Sequence, residues 1–77
     1  MVVKVYSTDF CPYCDMAKSF LRDKKIKFNE INVQENRDAA REMIEKTGQV
    51  GVPVIDIDGA MVVGFDREQI EKLLKLE

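Results

Sequence analysis

Two cysteines stand three positions apart, in Cys11-Pro12-Tyr13-Cys14, and the chain contains no histidine. That absence removes the Ser-His and Cys-His pairings that activate other nucleophiles, together with the commonest metal ligand. Thiols at this spacing suit exchange chemistry, in which one attacks a disulfide as the thiolate and the other resolves the mixed disulfide. Two sulfurs are also half of a tetrahedral zinc shell. No histidine or second cysteine pair is present to complete it, so no metal site is expected within the chain. As a staple the pair is poorly placed: so short a loop restricts the unfolded chain by only about 2 kcal/mol, against about 3 kcal/mol for a 15-residue loop.

The surrounding sequence must expose the first thiol and hold the second one helical turn away. Residues 2 to 7 are β-branched and aromatic apart from Lys4, a run suited to a strand buried on both faces. Pro12 pre-sets φ for a first helical position, and Met16, Ala17, Phe20 and Leu21 form an apolar face ending near Lys24-Lys25. Ile26-Lys27-Phe28 and Ile31-Asn32-Val33 read as a half-buried second strand. Asn36 caps a second helix with Ala39, Ala40, Met43 and Ile44 inward, and Gly48 closes it. Val52 to Ile57, the Asp58-Gly59 turn and Met61-Val62-Val63 form a hairpin, and Asp66 with Gln69 opens a last helix facing inward through Ile70, Leu73 and Leu74. The order βαβαββα predicts an α/β fold, a four-stranded mixed sheet flanked by three helices. Residues 1–77 are expected to make one domain, because the length leaves no room for a second.

This order places Cys11 where a strand passes into a helix. Unpaired N–H groups and the positive end of the helix dipole favour thiolate there. Cys14, inside the helix, is expected to be more buried and close enough to resolve. Lys18 adds positive charge one turn further on, while Asp9 and Asp15 flank the site with the opposite sign. Val52-Pro53 is a second marked element, since proline removes a ladder donor from a central strand. A cis bond would free the Val52 backbone to pair with an extended substrate, and an ordinary trans proline after Gly51 is the alternative. In Gly64-Phe65-Asp66, Asp66 either caps the last helix or leaves N–H groups open to an anion. Tyr13 either contacts a ligand or only covers the helix start.

Composition excludes several classes. The chain is 45% apolar and 34% charged, with 12 basic against 14 acidic residues, so it is globular and lacks the basic footprint of a nucleic-acid binder. The opening Val2-Val3-Lys4-Val5-Tyr6 is too short and too charged for a signal core or a membrane span, so a cytoplasmic protein without membrane association is expected.

Val3-Lys4-Val5-Tyr6 leading into Cys11-Pro12-Tyr13-Cys14, then Thr47 to Pro53, then Gly64-Phe65-Asp66, together resemble a glutaredoxin over essentially the whole chain. The resemblance implies a thioredoxin fold with cis-Pro53 facing the cysteines. It further implies that Cys11 attacks disulfides or glutathione mixed disulfides, with glutathione lying along Tyr13, Val52, Pro53, Gly64, Phe65 and Asp66. Gln49 matches a position that some members use for the glutathione glycyl carboxylate. Thr8 stands where many members have a lysine, Gly51 where threonine is common, and Val63 where a second glycine precedes the last helix. The Gly-Phe pair is similar to glutaredoxin-like redoxins that take electrons from thioredoxin reductase.

The expected function is therefore a thiol–disulfide oxidoreductase, catalytic through Cys11 and Cys14. Its expected partners are protein disulfides or glutathionylated proteins, with glutathione or a thioredoxin reductase as electron donor. No tightly bound cofactor is expected, glutathione being a co-substrate, and the chain should act as a monomer. One competing reading is a [2Fe–2S] carrier in which two chains hold a cluster through Cys11 and glutathione. Another is a binding module whose cysteines are vestigial, with an ordinary Cys11 pKa near 8.5.

Overall fold

The computed structural model describes residues 2–48 and 51–75. Its elements run β1 (Val3–Ser7), α1 (Pro12–Asp23), β2 (Asn29–Asn32), α2 (Arg37–Thr47), β3 (Val54–Ile57), β4 (Ala60–Val63) and α3 (Arg67–Leu74). The strands form one sheet in the order β2-β1-β3-β4. β1 pairs parallel with β2 through the α1 crossover, antiparallel with β3, and β3 pairs antiparallel with β4. This is the expected four-stranded mixed sheet, built from the expected βαβαββα element order, in a thioredoxin fold.

Alternation along the strands sends side chains to two separate cores. Val3, Val5, Ile55, Ile57 and Val62 pack against Ala17, Phe20 and Leu21 of α1 and Ile70 and Leu74 of α3. Tyr6 and Val54 pack on the other face against Met43 of α2, joined at the edges by Ala39, Val52 and Met61. β1 and β3 are central, and both are buried along nearly their whole length, as a strand covered by helices on both faces must be.

The helix ends follow the sequence signals. The Asn36 side chain accepts from Ala39 N–H at 3.0 Å, and Gly48 closes α2 at φ 75°, a left-handed conformation that glycine adopts without Cβ strain. At the end of α1 the N–H of Lys25 donates to Arg22 O and that of Ile26 to Leu21 O, both at 2.9 Å. That is a Schellman closure with Lys25 at φ 58° in the glycine-favouring position.

Four details differ from the sequence expectation. The second strand is shorter than Ile26–Val33, because the Schellman turn occupies Lys24 to Ile26 and the parallel ladder begins only at Lys4 opposite Asn29. Ile26 and Phe28 pack against the core without joining the sheet. The third strand begins at Val54, since Pro53 has no N–H to enter the ladder. Met16 and Ile44 are 48% and 40% exposed, because the buried stripes of α1 and α2 are one residue narrower than their apolar runs.

Candidate active site

Cys11 is the N-cap of α1, with extended backbone (φ −145°, ψ 96°) that turns into the helix at Pro12. Its Sγ accepts the Cys14 N–H at 3.2 Å, and its carbonyl accepts the Asp15 N–H at 3.1 Å. Cys11 is partly exposed while Cys14 is completely buried. The two are joined as a disulfide with Cα atoms 5.1 Å apart, inside the span that a disulfide allows without backbone movement. The N–H that reaches Sγ is one of the donors that α1 cannot satisfy internally, and it would stabilise a thiolate at the same atom after reduction.

Charge near the cysteines is arranged differently from what the sequence suggests. Lys18, 13% exposed, places Nζ 2.7 Å from Glu30 Oε2 and 3.5 Å from Asp15 Oδ1. The Glu30 hydrogen bond raises its pKa above the ordinary lysine value, and the same bond lowers the Glu30 carboxyl. Ser7, buried at the end of β1, also donates to Glu30 Oε2, at 3.4 Å. One ammonium is thus matched by two carboxylates, and the helix terminus remains the main source of positive potential at Cys11.

The sheet register brings the remaining segments to the same end of the molecule. Tyr6 pairs with Val54 and Val54 with Val63, so the chain leaving β1 runs beside Val52-Pro53, which in turn lies beside Gly64. The Val52-Pro53 peptide is cis, Pro53 is fully buried, and its carbonyl accepts the Gly64 N–H at 2.7 Å. Gly64 has φ 80° and turns the chain toward α3. Phe65 meets Phe20 edge-on, with ring centroids 5.9 Å apart, so its ring leans toward α1. Asp66 caps α3 through its carboxylate, which accepts Gln69 N–H at 3.2 Å. Tyr13 is 63% exposed and Val52 partly buried against the α2 core. Gln49 lies outside the described residues.

Three features of the site were not legible in the sequence. Phe10, directly before the nucleophile position, is 95% exposed, and Met16 lies on the open side of α1. The loop that carries Phe10 is fastened by Asp9, whose N–H donates to Gln34 Oε1 at 2.7 Å and whose carboxylate accepts from Asn32. A groove of about 490 Å³ runs between α1 and the Phe65–Arg67 segment, lined in part by Asp15, Met16, Phe20 and Phe65. Among the described residues, no three His, Cys, Asp or Glu side chains group as a metal site. No helix there is long and apolar enough to cross a membrane.

The glutaredoxin family model matches residues 3–62. A glutaredoxin-like 8.6 kDa protein of a rubredoxin operon in Clostridium pasteurianum is 42% identical over 74 residues, covering 96% of this chain and 99% of the relative. The glutaredoxin-like protein NrdH of Lactococcus lactis subsp. cremoris is 38% identical over 72 residues, 94% of this chain and 99% of that protein. Among solved structures, the NrdH-redoxin of Escherichia coli, described as glutaredoxin-like with a thioredoxin-like activity profile, superposes with a TM-score of 0.83 at 25% identity, covering 95% of each chain. A half-exposed N-cap cysteine bonded to a buried one a turn later, on this fold and with these relatives, makes the chain a member of the glutaredoxin family and a thiol–disulfide oxidoreductase.

Proposed function

We propose that the chain reduces protein disulfides and glutathione mixed disulfides, with Cys11 as nucleophile and Cys14 as resolver. The observation that carries this reading is the asymmetry of the pair: the Cys11 sulfur is partly exposed and accepts a helix N–H, while Cys14 is wholly buried. In the reduced form the Cys11 thiolate attacks one sulfur of the substrate disulfide. The substrate S–S bond breaks, its other sulfur leaves as thiolate and takes a proton, and a mixed disulfide with Cys11 remains. Cys14, deprotonated, then attacks the Cys11 sulfur and displaces the second substrate thiolate. Two electrons pass from the dithiol to the substrate, and the Cys11–Cys14 disulfide forms.

In the reduced form the helix terminus and the Cys14 N–H favour the Cys11 thiolate over the thiol. An extended substrate or glutathione would lie along Tyr13, Val52, Pro53, Gly64, Phe65 and Asp66, with the Val52 backbone as a pairing edge. Glutathione is a co-substrate in this reading, no cofactor is tightly bound, and the chain works as a monomer in the reducing cytoplasm.

A second reading concerns the donor, and Lys18 favours it. With threonine at position 8 and Lys18 held by Glu30 and Asp15, the site offers little positive charge to anionic glutathione. Recycling by a thioredoxin reductase fits that balance.

The test supplies oxidised protein with glutathione and glutathione reductase, or with NADPH and thioredoxin reductase, and follows NADPH consumption against a small disulfide. Turnover with glutathione supports the first donor, and turnover with thioredoxin reductase alone supports the second. Cys11→Ser is expected to abolish both half-reactions, whereas Cys14→Ser keeps deglutathionylation and loses protein-disulfide reduction. Equal activity in the two variants would contradict the assigned roles.

A further inference from the structure

Large apolar side chains left in water mark contact surfaces when they cluster, and three of them cluster beside Cys11. Phe10 is 95% exposed, Tyr13 63% and Met16 48%. Tyr13 and Met16 are one helical turn apart on α1, and Phe10 directly precedes its N-cap. Met16 also lines the groove of about 490 Å³ toward Phe65, so the apolar surface continues from the ridge into the groove. Asp9, the loop residue before the ridge, is exposed, and Asp15 and Asp23 line the groove. Of the cations nearby, Lys18 is only 13% exposed and held by Glu30 and Asp15, Arg67 pairs with Glu71 at 2.9 Å, and Lys24 lines the groove over the Phe20 ring, at the end of α1 away from Cys11.

Resting on the dithiol reading above, we propose that the preferred substrate is a protein disulfide whose cysteine is flanked by apolar and basic residues. Its apolar side chain would cover the Phe10–Tyr13–Met16 ridge and enter the groove toward Phe65, and its cations would face Asp9 and Asp15. The reaction is the exchange already described, with the two electrons of the dithiol passing to the substrate. Glutathione, small and anionic, covers little of the ridge and meets carboxylates. The preference is therefore for a partner of complementary charge, continuous with the redox site.

The test uses pre-reduced full-length protein in single-turnover mixing with four self-quenched disulfide peptides. In these the cysteine is flanked by leucine and arginine, by leucine and glutamate, by serine and arginine, or carries glutathione. Bis(2-hydroxyethyl) disulfide, small and neutral, is the reference. Basic apolar peptide is expected to react on the order of tenfold faster than acidic apolar peptide at low salt, with the gap shrinking at 0.5 M salt. Phe10→Ala is expected to lower the ratio of basic apolar peptide to reference rate about tenfold, the loss expected for one aromatic contact. Asp15→Asn should reduce the charge preference in the same ratio. Rates independent of flanking charge and of Phe10, with the reference still reduced, would overturn the preference alone. Failure to reduce the reference disulfide as well would overturn the dithiol reading beneath it.

Discussion

At Cys11 a single backbone donor, the Cys14 N–H at 3.2 Å, reaches the sulfur, while the nearest lysine on the helix has its charge committed to carboxylates. The Lys18–Glu30 pair therefore acts on stability more than on the thiol. Glu30 is lowered from 4.5, chiefly by the Lys18 hydrogen bond, so its contribution is present above pH 4.5 and is lost as pH falls through the folded value. Lys18 is raised from 10.5, so its share is present below that pH and lost as pH rises through its folded value. Glu30→Gln is expected to destabilise by less than about 1 kcal/mol at pH 7, because the carboxylate is half exposed. The gap between urea melts of the two proteins should narrow as pH falls below 4.5. A gap that persists there would place the effect elsewhere than in the charge pair.

At the scale of the elements, α2 holds its face of the sheet through one completely buried side chain, Met43, with Ala39 beside it. Met43→Ala removes the contacts to Tyr6 and Val54 and is expected to cost about 2–5 kcal/mol. Hydrogen exchange should locate the loss, with α2 amides opening before those of α1. Uniform loss of protection would mean that the two faces unfold as one unit. Lys25 offers the opposite change. It occupies φ 58° at the Schellman position, where a side chain costs about 1–2 kcal/mol against glycine. Lys25→Gly should raise stability by about 1 kcal/mol after the entropy of the freer unfolded chain is set against that relief. An unchanged melting curve would mean that Lys25 makes a compensating contact.

Taken as a whole, the molecule is compact, with a radius of gyration of 11.4 Å, close to the roughly 11.5 Å expected for this length. Two cores on opposite faces of the sheet hold it, and the disulfide closes a loop of only three residues' separation. Reduction is expected to lower stability by no more than about 2 kcal/mol on the loop-entropy argument, so both redox forms should be folded. Paired urea melts with and without reductant measure this difference. Collapse of the reduced protein would show that the cores do not suffice, and would conflict with a thiol that must work reduced.

Much of this protein is fixed by local sequence. Pro12 after Cys11, Asn36 before α2, Gly48 after it and Asp58-Gly59 between β3 and β4 each favour one backbone choice, and together they mark the element boundaries. The cysteine pair and its place at a helix start were legible for the same reason, since N-cap geometry depends on a few consecutive residues. Features that depend on distant neighbours were decided by the tertiary structure. Met16 and Ile44 continue apolar runs and would pass for core, but only the helix positions that pack against the sheet are buried, and these two lie outside them. Lys18 lies beside Cys14 in sequence, yet Glu30 reaches it from β2, a strand brought alongside only by the parallel crossover. Phe10 carries no periodic signal at all. Its exposure follows from a loop tied to β2 and the segment after it by the contacts of Asp9 with Asn32 and Gln34, which span more than twenty residues and exist only in the folded chain.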